Sequence, residues 1–327
     1  MATKKDIKTL LREGAELHVA GKFSEAEKLY RRVLEINESH AVAHNNLGFL
    51  MFQLSKSQEA EKEYRRAIEI SPGYSTAYTN LGQALIMMQR LDEAENLLLK
   101  AVSLDSDDFH ATESLAKLYL LKGDGVQGEV FWKKCYILKP ESCHLVNFAH
   151  CLILQKKLDE ALEALNRALP EEEENSRLYY LTGIIYFAKY DFGSAIKCFK
   201  RSLGIKPEDP ETRHNLAMAY LKTGQSDEAV QELRRILLLN PDHTNARNNL
   251  AVIEMSAGKI ESALAHFNLS LEQEPANAKA LYYKSVIMLQ KGFVTEAVDL
   301  INQTISTGSA DYKQKAAELL ESIPGQL

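Results

Sequence analysis

The sequence predicts an all-α protein, a right-handed superhelix (α-solenoid) of about nine helix-turn-helix repeats followed by a C-terminal capping helix. The first observation is a fixed period of 34 residues, clearest in the stretch 41–74 and repeated from Ser75 onward. The second is a set of small and large residues at constant offsets within that period. The third is apolar spacing of three and four residues. Together these features are typical of stacked helical repeats.

Each repeat is predicted to be a pair of antiparallel helices. With the repeat numbered 1 to 34, apolar residues recur at helical spacing in two blocks of about 12 to 14 residues. Small residues at positions 8 and 20 allow the two backbones to approach closely. A large residue at position 24 is expected to fill the groove toward the next repeat. Proline at position 32, such as Pro72, ends the second helix.

Nine such units follow one another along the chain. Their first residues are Ile7, Ala41, Ser75, Phe109, Ser142, Ser176, Pro210, Thr244 and Ala278. Position 8 is occupied by Gly14, Gly48, Gly82, Ala116, Ala149, Gly183, Ala217, Ala251 and Ser285. Position 20 is alanine in every unit except the fourth, which has Gly128. Because all these positions are small, one continuous solenoid over residues 1–327 is the expected domain organisation.

Two places depart from the pattern. Unit 4 is one residue short and contains a glycine-rich turn at 123–125, and Trp132 is expected to fill the space beside Gly128. Between units 5 and 6 the acidic run 170–175 replaces the usual proline turn. We interpret this run as a solvated loop, with a docking site for a basic partner as the alternative.

The chain is expected to end in a capping helix over residues 310–322. Its leucines, Leu319 and Leu320, can cover the apolar face of the last repeat while its lysines and glutamates face water. Solenoids require such polar terminal elements for solubility. The N-terminal unit has no separate cap and is itself more polar, with Glu13 at position 7.

Composition narrows the class of protein. A hydrophobic content of 45% with 26% charged residues is ordinary for a folded soluble protein. A net charge of −6 argues against a nucleic-acid surface. No apolar run approaches the roughly 20 residues of a membrane span, and the charged N-terminus does not resemble a secretory signal. The four cysteines lack CxxC spacing, so we expect reduced thiols and a cytoplasmic location.

The repeat spacing resembles the tetratricopeptide repeat (TPR) family over nearly the whole chain. The motifs HNNLG, YTNLG and RNNLA, at 44–48, 78–82 and 247–251, are similar to the superhelical TPR region of O-linked N-acetylglucosamine transferases. The catalytic domain of those enzymes is not expected here, because the repeats fill the sequence to its last helix. The motifs therefore favour a binding protein over an enzyme.

The resemblance implies that positions 2, 5, 6 and 9 of each first helix line a binding groove. Position 6 is asparagine in five of the nine units. An asparagine amide matches a peptide C=O and N–H together, so a series of amides can hold an extended chain by its backbone. The alternative is that asparagine is simply a polar residue on a wet helix face. The candidate peptide-binding residues are Asn45, Asn46, Asn80, Gln83, Lys117, Asn147, His150, Tyr180, His214, Asn215, Asn248, Asn249, Tyr282 and Tyr283.

Two other kinds of site are not expected. A clamp for a C-terminal carboxylate needs lysine and arginine where unit 3 has Thr76 and Asn80. A zinc site could draw on Cys143, His150 and residues of the neighbouring unit, but ligands two turns apart on one helix rarely converge on one ion. No catalytic motif or phosphate loop is present in the sequence. We therefore expect no catalytic residues, no metal and no cofactor.

The sequence thus predicts a non-catalytic scaffold that binds an extended segment of another protein in its groove. The alternative is a structural scaffold that self-associates into a homo-oligomer through its repeat surfaces. Neither hypothesis includes a nucleic-acid partner or insertion into a membrane.

Overall fold

The computed structural model describes residues 4–323, and within this range all the regular secondary structure is helical. The helices are α1 Lys4–Val19, α2 Phe23–Ile36, α3 Ala41–Gln53, α4 Ser57–Ile70, α5 Ser75–Met87, α6 Leu91–Leu104, α7 Phe109–Lys122, α8 Gly125–Leu138, α9 Ser142–Leu154, α10 Leu158–Ala168, α11 Ser176–Ala188, α12 Phe192–Ile205, α13 Pro210–Lys222, α14 Ser226–Leu239, α15 Thr244–Ser256, α16 Ile260–Gln273, α17 Ala278–Gln290, α18 Val294–Thr307 and α19 Ala310–Glu321. A short 3-10 helix, Leu169–Glu171, follows α10. The predicted all-α class is confirmed.

The helices α1 to α18 form nine consecutive pairs, and each helix from α1 to α10 and from α11 to α19 packs against the next helix in its own series. From α3 to α17, the first helix of each pair begins at the residue where a repeat unit begins in the sequence. The helix α1 is longer and begins at Lys4. The described part of the chain therefore consists of nine helix-turn-helix repeats of the α-solenoid type with one further helix, α19.

The chain divides into two compact units, residues 1–173 and 174–327. The first unit contains α1 to α10, and its core includes the buried rings of Tyr30 and Tyr64. The second unit contains α11 to α19, with Phe199 and Phe267 among its largest buried side chains. A single solenoid over the whole chain stays a prediction.

The small residue at position 8 is covered by the large residue at position 24 of the same repeat. A Cβ atom added to Gly48 would lie 2.8 Å from Cδ1 of Tyr64, and one added to Gly183 would lie 2.5 Å from Cε1 of Phe199. The ring of the large residue therefore seals the crossing of its own helix pair. Phe267, at the same position of unit 8, also stacks on Tyr283 of the next repeat, as the expectation for this position required.

Unit 4 is packed differently from the expectation. A Cβ atom added to Gly128 would lie 2.7 Å from Sγ of Cys151, which belongs to the following repeat. The space beside this glycine is thus filled by Cys151 rather than by Trp132. Trp132 is fully buried at another point of the same cluster, with its ring 5.9 Å from the ring of His144.

The turn between the two helices of each repeat contains one residue in the left-handed conformation, with φ between 61° and 82°. These nine residues occupy position 15 and are Gly21, Ser55, Gln89, Gly123, Lys156, Tyr190, Gly224, Gly258 and Gly292. Left-handed backbone is strained for residues with a Cβ atom, so the four non-glycine turns carry a conformational cost.

The last helix covers the apolar end of the second unit. Ala316 of α19 and the following Ile323 pack against Ile301 of α18, with Leu319 and Leu320 half-buried beside them. The predicted C-terminal capping helix is confirmed. In the described range, no helix has both the length and the apolar character that crossing a membrane requires.

Candidate functional site

We call the face lined by positions 2, 5, 6 and 9 of the first helices the groove. In the first unit it contains two neighbouring cavities. One has a volume of about 440 Å³ and is lined by His18, Phe23, Tyr30, Asn46, Phe49 and Gln53, among others. The other has a volume of about 500 Å³ and is lined by Phe49, Thr76, Asn80, Gln83, Asp108 and His110, among others. Phe49 lies between the two cavities and is 38% exposed.

The first cavity has a mostly aromatic wall with polar groups at its edge. The ring of His18 lies 5.3 Å from the ring of Phe49 and 5.7 Å from that of Phe23. The Nε2 atom of His18 lies 2.8 Å from Oε1 of Gln53 in the next repeat. An apolar ligand group in this cavity would therefore contact aromatic rings with hydrogen-bonding groups beside them.

The amides of the second cavity already bond across neighbouring repeats. The amide nitrogen of Asn80 donates to Oδ1 of Asn45 at 2.9 Å, and that of Gln83 donates to Oγ of Ser114 at 2.8 Å. Asn45 is only 5% exposed, so its side chain serves this contact between repeats. The amide series thus joins successive first helices in addition to facing the groove.

The second unit has a separate cavity of about 330 Å³ in its groove. It is lined by Tyr180, Glu211, His214, Asn215, His243 and Asn245. The amide nitrogen of Asn215 lies 3.4 Å from the hydroxyl oxygen of Tyr180. Burial raises the pKa of the Tyr180 phenol, so this hydroxyl stays protonated and able to donate.

One network in the second unit fixes the orientation of a groove amide. Lys279 donates to Oδ1 of Asn249, and Nδ2 of Asn249 lies 2.7 Å from Nε2 of His214. Because the amide oxygen is occupied by the lysine, the amide nitrogen donates to His214, which requires a neutral imidazole. Burial, followed by the nearby His243 and Lys279, lowers the pKa of His214. Burial also lowers the pKa of Lys279.

Several expected groove residues are engaged elsewhere. Asn248 is fully buried and donates to Oδ1 of Asn277 at 2.9 Å, so its side chain cannot reach a groove ligand, and including it among the binding residues was wrong. Lys117 is exposed and forms a 2.8 Å ion pair with Glu113 on its own helix. Asn147 donates to the backbone carbonyl of Cys143 at 3.1 Å.

The remaining expected residues are half-buried. His150 lies on α9 in the first unit. In the second unit, Tyr283 stacks on Phe267 with ring centroids 6.0 Å apart, and the ring of Tyr282 lies 5.9 Å from that of Tyr312. The two tyrosines therefore present only part of their rings to the groove.

The sequence reasoning missed the residues that shape the first cavity. Phe49 stands at position 9, one of the groove positions that the family resemblance indicates, so a phenylalanine there was a usable signal. His18 and Gln53 stand at positions 12 and 13, near the ends of their helices. Nothing in the repeat pattern marks those two positions as part of a groove.

Family models support the repeat assignment. Three models of the tetratricopeptide repeat match the chain, one at residues 39–107, one at 186–253 and one at both 154–210 and 255–311. The matched ranges include repeats in both compact units.

Two curated proteins are similar to parts of the chain. The BBSome complex member BBS4 of Bos taurus is 32% identical over 84 residues, which is 26% of this chain and 16% of that protein. A TPR repeat-containing protein of Methanocaldococcus jannaschii is 28% identical over 136 residues, 38% of this chain and 24% of that protein. The chain therefore spans less than a quarter of the length of either relative.

Solved structures support the fold. A chain of the APC/C hetero-tetramer Cut9-Hcn1 superimposes with a TM-score of 0.60 at 18% identity, covering 85% of this chain and 55% of that one. The IFIT1 monomeric mutant with Gppp-AAAA gives a TM-score of 0.53 at 14% identity, covering 93% of this chain and 82% of that one. Since the family matches together extend over more than half of the sequence, this chain belongs to the tetratricopeptide-repeat proteins.

Proposed function

We propose that the protein is a non-catalytic scaffold that binds an extended segment of another protein in its groove. TPR proteins generally mediate protein–protein interactions. The observation that carries the proposal is the pair of cavities on either side of the exposed ring of Phe49. Aromatic anchors of this kind, surrounded by polar groups, supply much of the free energy of binding at protein interfaces.

The chemistry of the groove selects the class of ligand. The aromatic wall around Phe49 suits an apolar side chain of the partner, and burial of that side chain supplies affinity. Amide side chains at the cavity edges can bond the peptide backbone on either side of the anchor. A short segment with one large apolar residue in an extended conformation therefore fits this part of the groove.

The groove amides differ in how readily they can engage a partner. Asn80 and Gln83 would exchange an existing contact between repeats for a contact with the ligand, so their net contribution is reduced. Asn46 is held more weakly, because its Oδ1 accepts from Asn45 at a long 3.4 Å. We therefore assign the largest roles in the first unit to Phe49 and Asn46.

The experiment is a selection of random peptides displayed on phage, using the full-length chain as bait, followed by affinity measurements with purified peptides. Phe49→Ala is expected to weaken the selected peptides by about tenfold or more, a loss of roughly 1–2 kcal/mol. Asn46→Ala should weaken them less. Leu99→Ala is the matched control, because Leu99 is 40% exposed but lies on a second helix, α6.

Circular dichroism first establishes that each variant keeps its helix content. Peptides that bind Phe49→Ala as tightly as the unmodified chain, but lose affinity for Leu99→Ala, would contradict groove binding. A selection that enriches no peptide, with a protein that sediments as an oligomer, would favour the self-associating scaffold instead.

A further inference from the structure

We propose that Glu141, Cys143 and His144 bind one divalent transition-metal ion of the zinc type at the start of α9. Oε2 of Glu141, Sγ of Cys143 and a ring nitrogen of His144 all lie within 4.8 Å of one another. In the described part of the chain, this is the one cluster of three such donors. From the sequence, Cys143 was combined with His150, two turns away, and with residues of the neighbouring unit, and its immediate neighbours were passed over.

His144 is oriented as a metal ligand. Its ring is buried, with 3% of the side chain exposed, and Nδ1 donates to the backbone carbonyl of Lys139 at 2.8 Å. That bond leaves the lone pair on Nε2, and this atom lies 4.0 Å from Glu141 Oε2. Metal-binding histidines characteristically donate their second ring nitrogen to a carbonyl or carboxylate in this way. Among the described residues, Nε2 has no hydrogen-bond partner.

Other repeats use a similar buried side chain but satisfy both of its ends. His44 contacts the carbonyl of Glu38 through Nε2 at 2.9 Å, and its Nδ1 lies 2.6 Å from Glu63. Arg213 donates to the carbonyl of Pro207 and to the carboxylate of Glu232. In unit 5 one ring nitrogen of the histidine makes a carbonyl contact, whereas the other has the Glu141 carboxylate at 4.0 Å, beyond hydrogen-bond distance. The carbonyl contact therefore occupies Nδ1 of His144 and leaves Nε2 available to bind a metal ion.

Glu141 also differs from the acidic residues at the same place in two other repeats. It is the N-cap residue of α9, yet its side chain caps no backbone N–H. The corresponding Asp108 and Asp209 both accept hydrogen bonds from the first turn of their helices. The Glu141 carboxylate instead lies 3.8 Å from Sγ of Cys143. It is thus turned toward the other two donors rather than toward the helix end.

The donor set and the spacing suit zinc. Tetrahedral bonds from zinc to sulfur, nitrogen and oxygen place the ligand atoms about 3.4–3.6 Å apart. The separations of 3.8 Å and 4.0 Å from Glu141 Oε2 therefore require shifts of a few tenths of an ångström, and the third pair, Cys143 and His144, lies within 4.8 Å and closes by rotation of the cysteine side chain. Three protein ligands leave a fourth position for water. On binding, the Cys143 thiol releases its proton to solvent as the sulfur–metal bond forms.

The surroundings carry negative charge. The carboxylates of Glu141 and Glu172 lie close enough to act on Cys143 electrostatically, and the same charges attract a divalent ion.

The test uses the full-length protein stripped with EDTA and titrated with Co²⁺. One equivalent should bind in tetrahedral geometry, giving visible d–d absorption and a near-ultraviolet band for charge transfer from thiolate to cobalt. Zn²⁺ should then abolish both signals by displacing the cobalt. Absence of the charge-transfer band, or more than one equivalent contributing to it, overturns the proposal.

Variants assign the ligands. Cys143→Ser should lose the charge-transfer band, and Glu141→Gln should weaken Co²⁺ binding by about tenfold or more, since even outer-shell partners contribute that much. Cys198→Ser is the matched control, because Cys198 is likewise a partly buried free thiol. Circular dichroism confirms folding of each variant. A band that persists in Cys143→Ser, or disappears in Cys198→Ser, overturns the assignment.

Discussion

At the scale of single residues, the repeat depends on a glycine placed under a large side chain. The ring of Phe199 lies so close to Gly183 that a single added carbon would overlap it. A buried ring in a densely packed interior cannot withdraw without displacing its own neighbours. The residue at position 8 must therefore be small because the large side chain at position 24 of the same repeat lies against it.

We predict that Gly183→Ala destabilises the protein by about 1–3 kcal/mol through overpacking against Phe199. Gly204→Ala is the matched control, because Gly204 lies on the exposed face of α12 with no atom within 4 Å of an added Cβ. Alanine at that helical position should stabilise by about 0.5–1 kcal/mol. Urea unfolding followed by circular dichroism measures both changes. Equal effects of the two substitutions would contradict the packing argument.

At the scale of the helix pair, the turn is defined by its backbone rather than by a fixed residue type. All nine residues at position 15 have positive φ, although four of them carry a Cβ atom. Glycine adopts this conformation without steric cost, whereas other residues do so at roughly 1–2 kcal/mol. The turn geometry is thus imposed by the packing of the two helices that it connects.

We predict that Ser55→Gly stabilises the first unit by roughly 0.5–1 kcal/mol, because it relieves the strain at φ 61°. The reverse change, Gly258→Ala, should destabilise the second unit by about 1 kcal/mol. No atom lies within 4 Å of a Cβ added at Gly258, so this loss would come from the backbone alone. Thermal unfolding compares each variant with the unmodified chain, and shifts of the opposite sign would refute the turn argument.

At the scale of the whole molecule, the sequence was sufficient to predict the helix pairs but not their detailed contacts. Helical spacing and the small positions specify where helices lie and cross, because close packing tolerates few residues there. The contact partner of Gly128 could not be predicted, since it depends on Cys151 in the next repeat. Nor could the strained turn at Ser55 be predicted, because serine carries no local signal for positive φ.

The candidate groove was partly predictable for the same physical reason. The position pattern correctly directed attention to first-helix residues such as Asn80, which lines a cavity in the first unit. The pattern could not distinguish two adjacent asparagines. Asn248 is buried and donates to Asn277, whereas Asn249 lies on the groove face beside His214. Adjacent residues on one helix point about 100° apart. A shift of one position along the sequence therefore changes whether a side chain lies in the core or in the groove. The finer resemblance to the glycosyltransferase repeats stays a prediction.

Buried histidine makes the stability of the whole chain depend on pH near neutrality. Burial lowers the pKa of His214, with further lowering by His243 and Lys279, and burial also lowers the pKa of His266. The unfolded chain, in which histidine titrates near its ordinary value of 6.5, then binds protons before the folded chain does. The free energy of unfolding therefore falls as the pH drops from neutrality through the folded-state pKa values.

We predict that the unfolding midpoint in urea decreases between pH 7 and roughly pH 5, and that His214→Gln makes this decrease shallower without removing it, because His266 still contributes. Below that window both proteins should lose further stability in parallel, as carboxylates such as Glu95 become protonated. The hydrogen bond that Lys122 donates to Glu95 lowers the pKa of this carboxyl group, so Glu95 stabilises the folded state only while it is ionised. The parallel loss of stability below about pH 5 thus serves as an internal control for the effect of His214. Identical slopes for the two proteins between pH 7 and pH 5 would show that protonation of His214 is not the source of the decrease.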